Sequence, residues 1–596
     1  MLRASPSRPA GCRALKLGAA GVAACVAVLL SAAASSVQAS ENGAVAFGGK
    51  QLGKPVIFMR EPDLSGLRVI PTGGWAGDPA VSPGGGRVAF VRRGSGGSQV
   101  WVTYTNGAGR MQLTSGPRDG GVNWSPAGDA VVFARGGVGQ RDIHTVIADG
   151  SGGRRLTSRR TDDHSPSWGV SQRIAFVRAS RRSSDIYDIA AAGGSARRLT
   201  HSRADDSSPS WSPTGKTLAF ARGRRGERDL YLLRSDGSRK RQLTSLPGDE
   251  SEPAWSPDAR WLAFAQRRRG KRRVYLLRMG GASVRRFDSR GLQALSSARR
   301  EPRSPEWQPT GLDPVVAAAG DIACDPTSSS FGAGQGAGPF CRQRRTSDLL
   351  YRMDLTAILA SGDLQYEDGQ LWKFQQSFDA SWGRLKPLIR PVPGNHEYRV
   401  SGAAGYFDYF NGPGQHTGPA GERGRGYYSF EVGSWHVIAL NSQCDEVGGC
   451  GVGSTQERWL REDLASHPAA CTLAFWHHPR FTSGSHGAEG SMLAAWTALY
   501  EANADLVVNG HEHFYERFGP QSPAGAPDAA RGIRQITVGT GGKSRFRFHA
   551  AVPNSEVRES RYYGVLKLTL RQGAYDWELV TAPAGAVADS GTSTCH

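Results

Sequence analysis

No stretch after residue 39 of this 596-residue chain holds 18 unbroken apolar residues, which excludes a transmembrane helix from the chain beyond its amino-terminal segment. Cysteine is equally scarce. None lies between Cys25 and Cys324, so neither a disulfide nor a thiolate metal site can staple that stretch, and no two of the last six cysteines are spaced as a Cys-x-x-Cys clip. Acidic charge is thin in the same region: residues 1–310 carry 49 Lys and Arg against 24 Asp and Glu, whereas residues 311–596 carry 24 against 29. Such an excess invites a phosphate-rich partner, namely nucleic acid, an anionic wall polymer or a membrane surface of the cell envelope. Lysine is rare too, at 10 of the 73 basic residues. In a chain this heavy in Gly, Ala and Arg, the same excess also follows from arginine placed on solvated turns.

The amino-terminal segment reads as a leader. Arg3, Arg8, Arg13 and Lys16 precede an apolar run from Leu17 to Ala34, and Val37-Gln38-Ala39 has the small-residue pattern of a cleavage site. Residues 1–39 are therefore expected to be a signal peptide, and the mature chain to be secreted or held in the cell envelope. Val22-Ala23-Ala24-Cys25 offers a lipoprotein alternative, which ranks lower because the apolar run continues past Cys25. Six cysteines remain after cleavage, an even number that suits an oxidising compartment. The short spacings favour Cys324 with Cys341 and Cys444 with Cys450, leaving Cys471 for Cys595.

Residues 40–310 repeat. A short strand core recurs at Val45-Ala46-Phe47, Val88-Ala89-Phe90, Val131-Val132-Phe133, Ile174-Ala175-Phe176, Leu218-Ala219-Phe220 and Leu262-Ala263-Phe264, at steps of 43, 43, 43, 44 and 44 residues. That period fits one four-stranded blade. Strands anchored at Val81, Trp124, Trp168, Trp211, Trp255 and Trp307 precede the cores, offset so that residues around 305–307 should complete the first blade and leave no open edge. The Trp-Ser-Pro and Ala-Phe elements resemble the PD40 or TolB-type propeller family, which implies a six-bladed β-propeller serving as a binding or scaffolding platform.

From residue 311 to 596 apolar strand candidates alternate with helical stretches (Arg344 to Arg352, Leu371 to Leu385, Thr455 to Ser466, Met492 to Ala502), an α/β layout. Five strand-to-loop junctions carry ligand-type residues: Gly320-Asp321, Gly362-Asp363 with Tyr366, Gly394-Asn395-His396, His477-His478-Pro479, and Gly510-His511-Glu512-His513. Open α/β sheets gather their sites at such carboxyl ends. The motifs GDIA, GDLQYED, GNHE, HHP, GHEHFYER and ITVGTGG resemble the metallophosphoesterase (calcineurin-like) superfamily, and within it the purple acid phosphatases. The resemblance implies an αββα sandwich holding two metal ions. Asp321, Tyr366 and His513 would hold one, Asn395, His477 and His511 the other, with Asp363 bridging. His396 and His486 would contact the phosphate, and His478 stands outside the ligand set. Where many relatives place a ligand histidine, this chain has Ala323, and Tyr366 fills the gap. A phenolate favours Fe(III), so the expected pair is Fe(III) beside Zn, Mn or Fe(II).

The expectation is thus an exported enzyme that hydrolyses phosphate monoesters by attack of a metal-bound hydroxide. Two alternatives stand beside it. One is a phosphodiesterase or nuclease of the same superfamily, with the basic propeller binding the polymer; the other is a propeller binding protein with a supporting catalytic domain.

Overall fold

The computed structural model describes residues 41–61, 66–158, 160–181, 183–279, 284–285, 302–310, 313–336 and 340–596. The expected signal peptide, with Cys25, lies outside the described residues, as does Gly311 at the expected boundary between the halves. Among the described residues no helix is long and apolar enough to cross a membrane.

Six antiparallel four-stranded sheets form the first half. In each, the Ala-Phe core occupies the second strand, and the β-branched or aliphatic residues beside it are fully buried, as Val131 and Phe133 are in Ala130–Arg135 and Leu218 and Phe220 in Thr217–Arg222. The core phenylalanine faces an aromatic ring on the third strand, with Phe176 against Tyr187 at 6.0 Å and Phe264 against Tyr275 at 5.7 Å. Closure follows the expected offset: Arg303–Thr310 pairs with Glu41–Gln51, so the last strand of the array completes the first blade. Arginine has structural work here. Arg135, Arg178 and Arg222 each fork onto an aspartate of the neighbouring inner strand (Asp119, Asp163, Asp206) through two bonds of 2.6 to 2.9 Å. These arginines are structural, but each is matched by an aspartate, so the basic excess resides on the others.

The second half stacks two mixed sheets. One has the order Ile389–Val392, Ala357–Ser361, Val315–Ala319, Gly564–Arg571, Ala574–Thr581, Ala586–Thr594. The other runs Tyr428–Val432, Trp435–Ala439, Cys471–Trp476, Leu506–Asn509, Arg534–Val538, Tyr515–Phe518, Ser555–Glu559. Side chains alternate along each strand. Val316, Ala318 and Leu359 therefore face Leu473, Phe475 and Val508 between the sheets, while Ala317, Ile358 and Ala360 face outward onto Leu349, Phe374 and Trp382. On the far side Ala474, Trp476 and Val507 pack on Leu460, Trp496 and Leu499. All three disulfides pair as the spacings favour: Cys324–Cys341, Cys444–Cys450 and Cys471–Cys595.

One expected helix is broken. Leu371 to Leu385 divides into an α turn (Leu371–Lys373), a π-type turn (Phe374–Phe378), a second α turn (Asp379–Ser381) and a 3-10 segment (Gly383–Leu388) that contains Pro387. The four-residue spacing of Phe374, Phe378 and Trp382 still aims all three rings at the core, which is the pattern that reads as a continuous helix.

The halves meet over the helix Gln343–Tyr351. Buried Arg87 donates to the Tyr351 carbonyl at 2.9 Å and to the Gly128 carbonyl at 2.7 Å, and lies 3.4 Å from Asp354. Asp354 in turn accepts from the Gly84 amide, Arg352 pairs with Asp149 at 2.8 Å, and Leu349, Leu350 and Tyr351 share one apolar cluster with Val100, Val102 and Trp124 of the propeller.

Candidate metal centre

Every ligand candidate stands where a parallel strand stops. Asp321 follows Val315–Ala319, Asp363 follows Ala357–Ser361, Asn395 follows Ile389–Val392, His477 follows Cys471–Trp476, and His511 and His513 follow Leu506–Asn509. The backbone turns sharply at these points, with Asp321, Asp363 and His511 at φ of 61°, 50° and 69°. Two glycines are required by space. A Cβ on Gly362 would sit 2.4 Å from His477 Nδ1, and one on Gly394 would sit 2.2 Å from Asp363 Oδ1.

Two groups of donors result. In the first, the Tyr366 hydroxyl lies 2.8 Å from Asp321 Oδ1, 3.0 Å from Asp363 Oδ2 and 2.9 Å from His513 Nε2. In the second, His477 Nε2 lies 3.2 Å from Asn395 Oδ1, 3.2 Å from His511 Nδ1 and 3.4 Å from Asp363 Oδ2. Asp363 belongs to both. The far nitrogens are pinned, His477 Nδ1 by the Ser361 carbonyl at 2.9 Å and His513 Nδ1 by the Ser544 hydroxyl at 2.7 Å, so each ring is oriented by a partner outside the cluster.

Burial and close approach shift the protonation of these donors strongly, each through its neighbours. Burial, reinforced by Asp321 and Asp363, pushes the Tyr366 phenol well above its ordinary pKa. Burial and the neighbouring His477 and His478 drive His511 far down. Burial disfavours charge on His477 as well, but Asp363 and Asp321 outweigh it and hold the imidazole at about 9. Asp363 is correspondingly kept well below the usual carboxylate range by His477 and His396 against the cost of its burial. Asp321 Oδ2 is buried with no hydrogen-bond partner. One hydroxyl proton cannot serve both the Asp321 and Asp363 carboxylates, and an orphaned carboxylate oxygen beside them is a costly arrangement that a cation relieves. The residues present fit hard metal ions in both groups.

Residues 319–515 match the family model for calcineurin-like phosphoesterases, and residues 170–311 match that for the TolB beta propeller domain. The chain joins a TolB-type propeller to a calcineurin-like phosphoesterase. It is 30% identical to purple acid phosphatase 21 of Arabidopsis thaliana over 269 residues, covering 41% of this chain and 58% of that one. It is 31% identical to purple acid phosphatase 22 of the same plant over 238 residues, covering 36% and 52%. The chain thus spans little more than half the length of these curated relatives. A purple acid phosphatase from yellow lupin (Lupinus luteus) seeds aligns in structure over 78% of this chain and 79% of its own, at 15% identity and a TM-score of 0.40.

Around the two donor groups of the phosphoesterase stand the other expected residues. His396 packs over the Tyr366 ring at 4.1 Å, its Nδ1 2.6 Å from the Glu367 carbonyl oxygen. His486, with its side chain 43% exposed, reaches the rim of the site 4.6 Å from the His511 ring. His478, expected outside the ligand set, comes within 4.4 Å of the His511 ring, and its Nδ1 meets the Ser442 hydroxyl at 2.9 Å. Sequence reasoning missed three supporting residues. Glu397 is wholly buried and accepts the backbone amides of Asp363, Leu364, Gln365 and Gly394 at 2.8 to 3.1 Å, tying two ligand loops together. Glu512 accepts the His486 amide at 3.1 Å and lies 3.3 Å from its Nδ1. Ser544 orients His513 from 31 residues downstream. The fourth position of GNHE and the third of GHEH were the visible signals for the first two; nothing near Ser544 marks it.

Proposed function

We propose that the protein is an exported dinuclear phosphoesterase of the purple acid phosphatase kind that hydrolyses phosphate monoesters. The observation that carries this reading is the convergence of Asp321, Asp363 and His513 on the Tyr366 hydroxyl within 3.0 Å. Asp321, Tyr366 and His513 would hold one ion, expected to be Fe(III), Asn395, His477 and His511 would hold a divalent ion (Zn, Mn or Fe(II)), and Asp363 would serve both. When bound, such a pair supplies an activated water and Lewis-acid neutralisation of phosphoryl charge. The chain's own groups do the rest. His396, its ring tilted against Tyr366, donates to a phosphoryl oxygen; His486, held by Glu512 at the solvent edge, passes a proton to the leaving oxygen. The even set of six cysteines, all disulfide-bonded, supports an extracytoplasmic setting. Turnover of a small chromogenic phosphate monoester beside its diester, with metal analysis on the same sample, tests the proposal. Monoester turnover with about two ions per chain is expected, and diester preference or metal-independent turnover overturns it.

A further inference from the structure

The phosphoesterase docks on the propeller face that carries the turns at Gly84, Gly109, Gly128 and Asp149. The hairpin tips between the second and third strands of each blade, and the entries to the inner strands, make the opposite face. On that face a cavity of about 610 Å³ opens between the first three blades. Lys50, Arg93 and Arg118 line it and carry no ion pair among the described residues. The lining aspartates do not offset them fully, since Asp119 is already forked by Arg135. Two exposed apolar side chains line the cavity and a third stands at the tip of a hairpin that reaches it. Val138 is 91% exposed at the tip of one hairpin and Trp75 39% exposed at an inner-strand entry, both lining the cavity; Leu52 is 87% exposed at the tip of the hairpin that brings Lys50 to it.

Leu52 is the telling residue. It sits at φ 49° and is followed by Gly53 at φ 77°, a two-residue hairpin turn whose first position favours Asn or Asp, and a leucine there gains nothing from the fold because it touches solvent. An apolar residue that is both strained and exposed calls for an apolar phase outside the molecule.

We propose that this face docks the protein on an anionic phospholipid surface. Lys50, Arg93 and Arg118 meet the headgroup phosphates at the cavity, Leu52 and Val138 enter the acyl boundary on either side, and Trp75, with Arg93 stacked 4.4 Å over its ring, lies at the headgroup level. A soluble polyanion satisfies the cations equally but offers no apolar phase to the two hairpin tips, so the exposed Leu and Val decide for the bilayer. The docked orientation leaves the phosphoesterase on the side away from the membrane.

Sedimentation of the full mature chain with phosphatidylcholine vesicles, with and without phosphatidylglycerol, tests this. Binding is expected only with the anionic lipid and should weaken as salt rises. Arg93→Gln with Arg118→Gln should lower the partition about 25-fold, at roughly fivefold per basic residue near such a surface. Leu52→Asn with Val138→Ser should lower it several-fold. Leu52→Asn alone installs the favoured Asn-Gly turn, so its thermal midpoint should hold or rise while vesicle binding falls, which separates lost docking from lost folding. Absence of vesicle binding, equal binding to neutral vesicles, or binding of inorganic polyphosphate that matches the vesicles and ignores the Leu52→Asn/Val138→Ser pair would each overturn the proposal, the last by making the site a polymer site.

Discussion

Asp363 is the residue on which both donor groups depend: its Oδ2 lies 3.0 Å from the Tyr366 hydroxyl and 3.4 Å from His477 Nε2. Asp363→Asn is isosteric and removes only the charge. It should abolish phosphate-ester hydrolysis and lower the content of both metals, read by elemental analysis against wild type; retention of two full equivalents would remove Asp363 from the bridging position. Eight of the nine candidate residues stand out in the sequence because each sits in a short polar motif just past an apolar run; His486, ten residues beyond the strand Cys471–Trp476, came only from the family resemblance. What was illegible shares another character. Glu397, Glu512 and Ser544 act on backbone amides or on the far side of a ring, and their partners come from loops up to 34 residues away, so that even where a motif marks the residue, as for Glu397 and Glu512, its partner is not readable locally.

At the scale of elements the repeat period made the blades visible, since a Val/Ile/Leu-Ala-Phe core every 43 or 44 residues can only be buried by its neighbours. The strand Ala586–Thr594 gave no such signal. It lies at the edge of its sheet with no buried residue, so its sequence has no apolar alternation to read. One blade also carries a titration. Glu250, in Asp249–Trp255, is fully buried, accepts the Thr244 hydroxyl, and burial pushes its carboxyl up to about 7 from an ordinary 4.5. Between those values the native state keeps a proton that the unfolded chain has released, so stability falls as pH rises from about 4.5 to about 7, by about 3 kcal/mol at most. Glu250→Gln should remove that slope. Denaturation midpoints at pH 5 and 7.5 should show wild type losing stability relative to the variant, and parallel profiles would discard the buried carboxyl as the cause.

Across the whole molecule, the junction of the halves was invisible in sequence because Arg87 is one of many arginines and nothing local distinguishes it. In the fold it is buried on three partners from two domains. Arg87→Ala leaves the Tyr351 and Gly128 carbonyls without their donor and should cost about 2 to 3 kcal/mol, with calorimetry resolving two transitions where wild type gives more nearly one. Turnover per folded molecule should change little, because every proposed ligand lies beyond the interface. The account stands most directly on the visible absorption of the purified, oxidised protein. If Tyr366 gives a phenolate to Fe(III), the protein is coloured by charge transfer from that ligand, and Tyr366→Phe, which removes one oxygen, bleaches the band and loosens the iron while the fold persists. Colourless, iron-free protein that is fully active with zinc or manganese, together with a Tyr366→Phe variant equal to wild type, would contradict it.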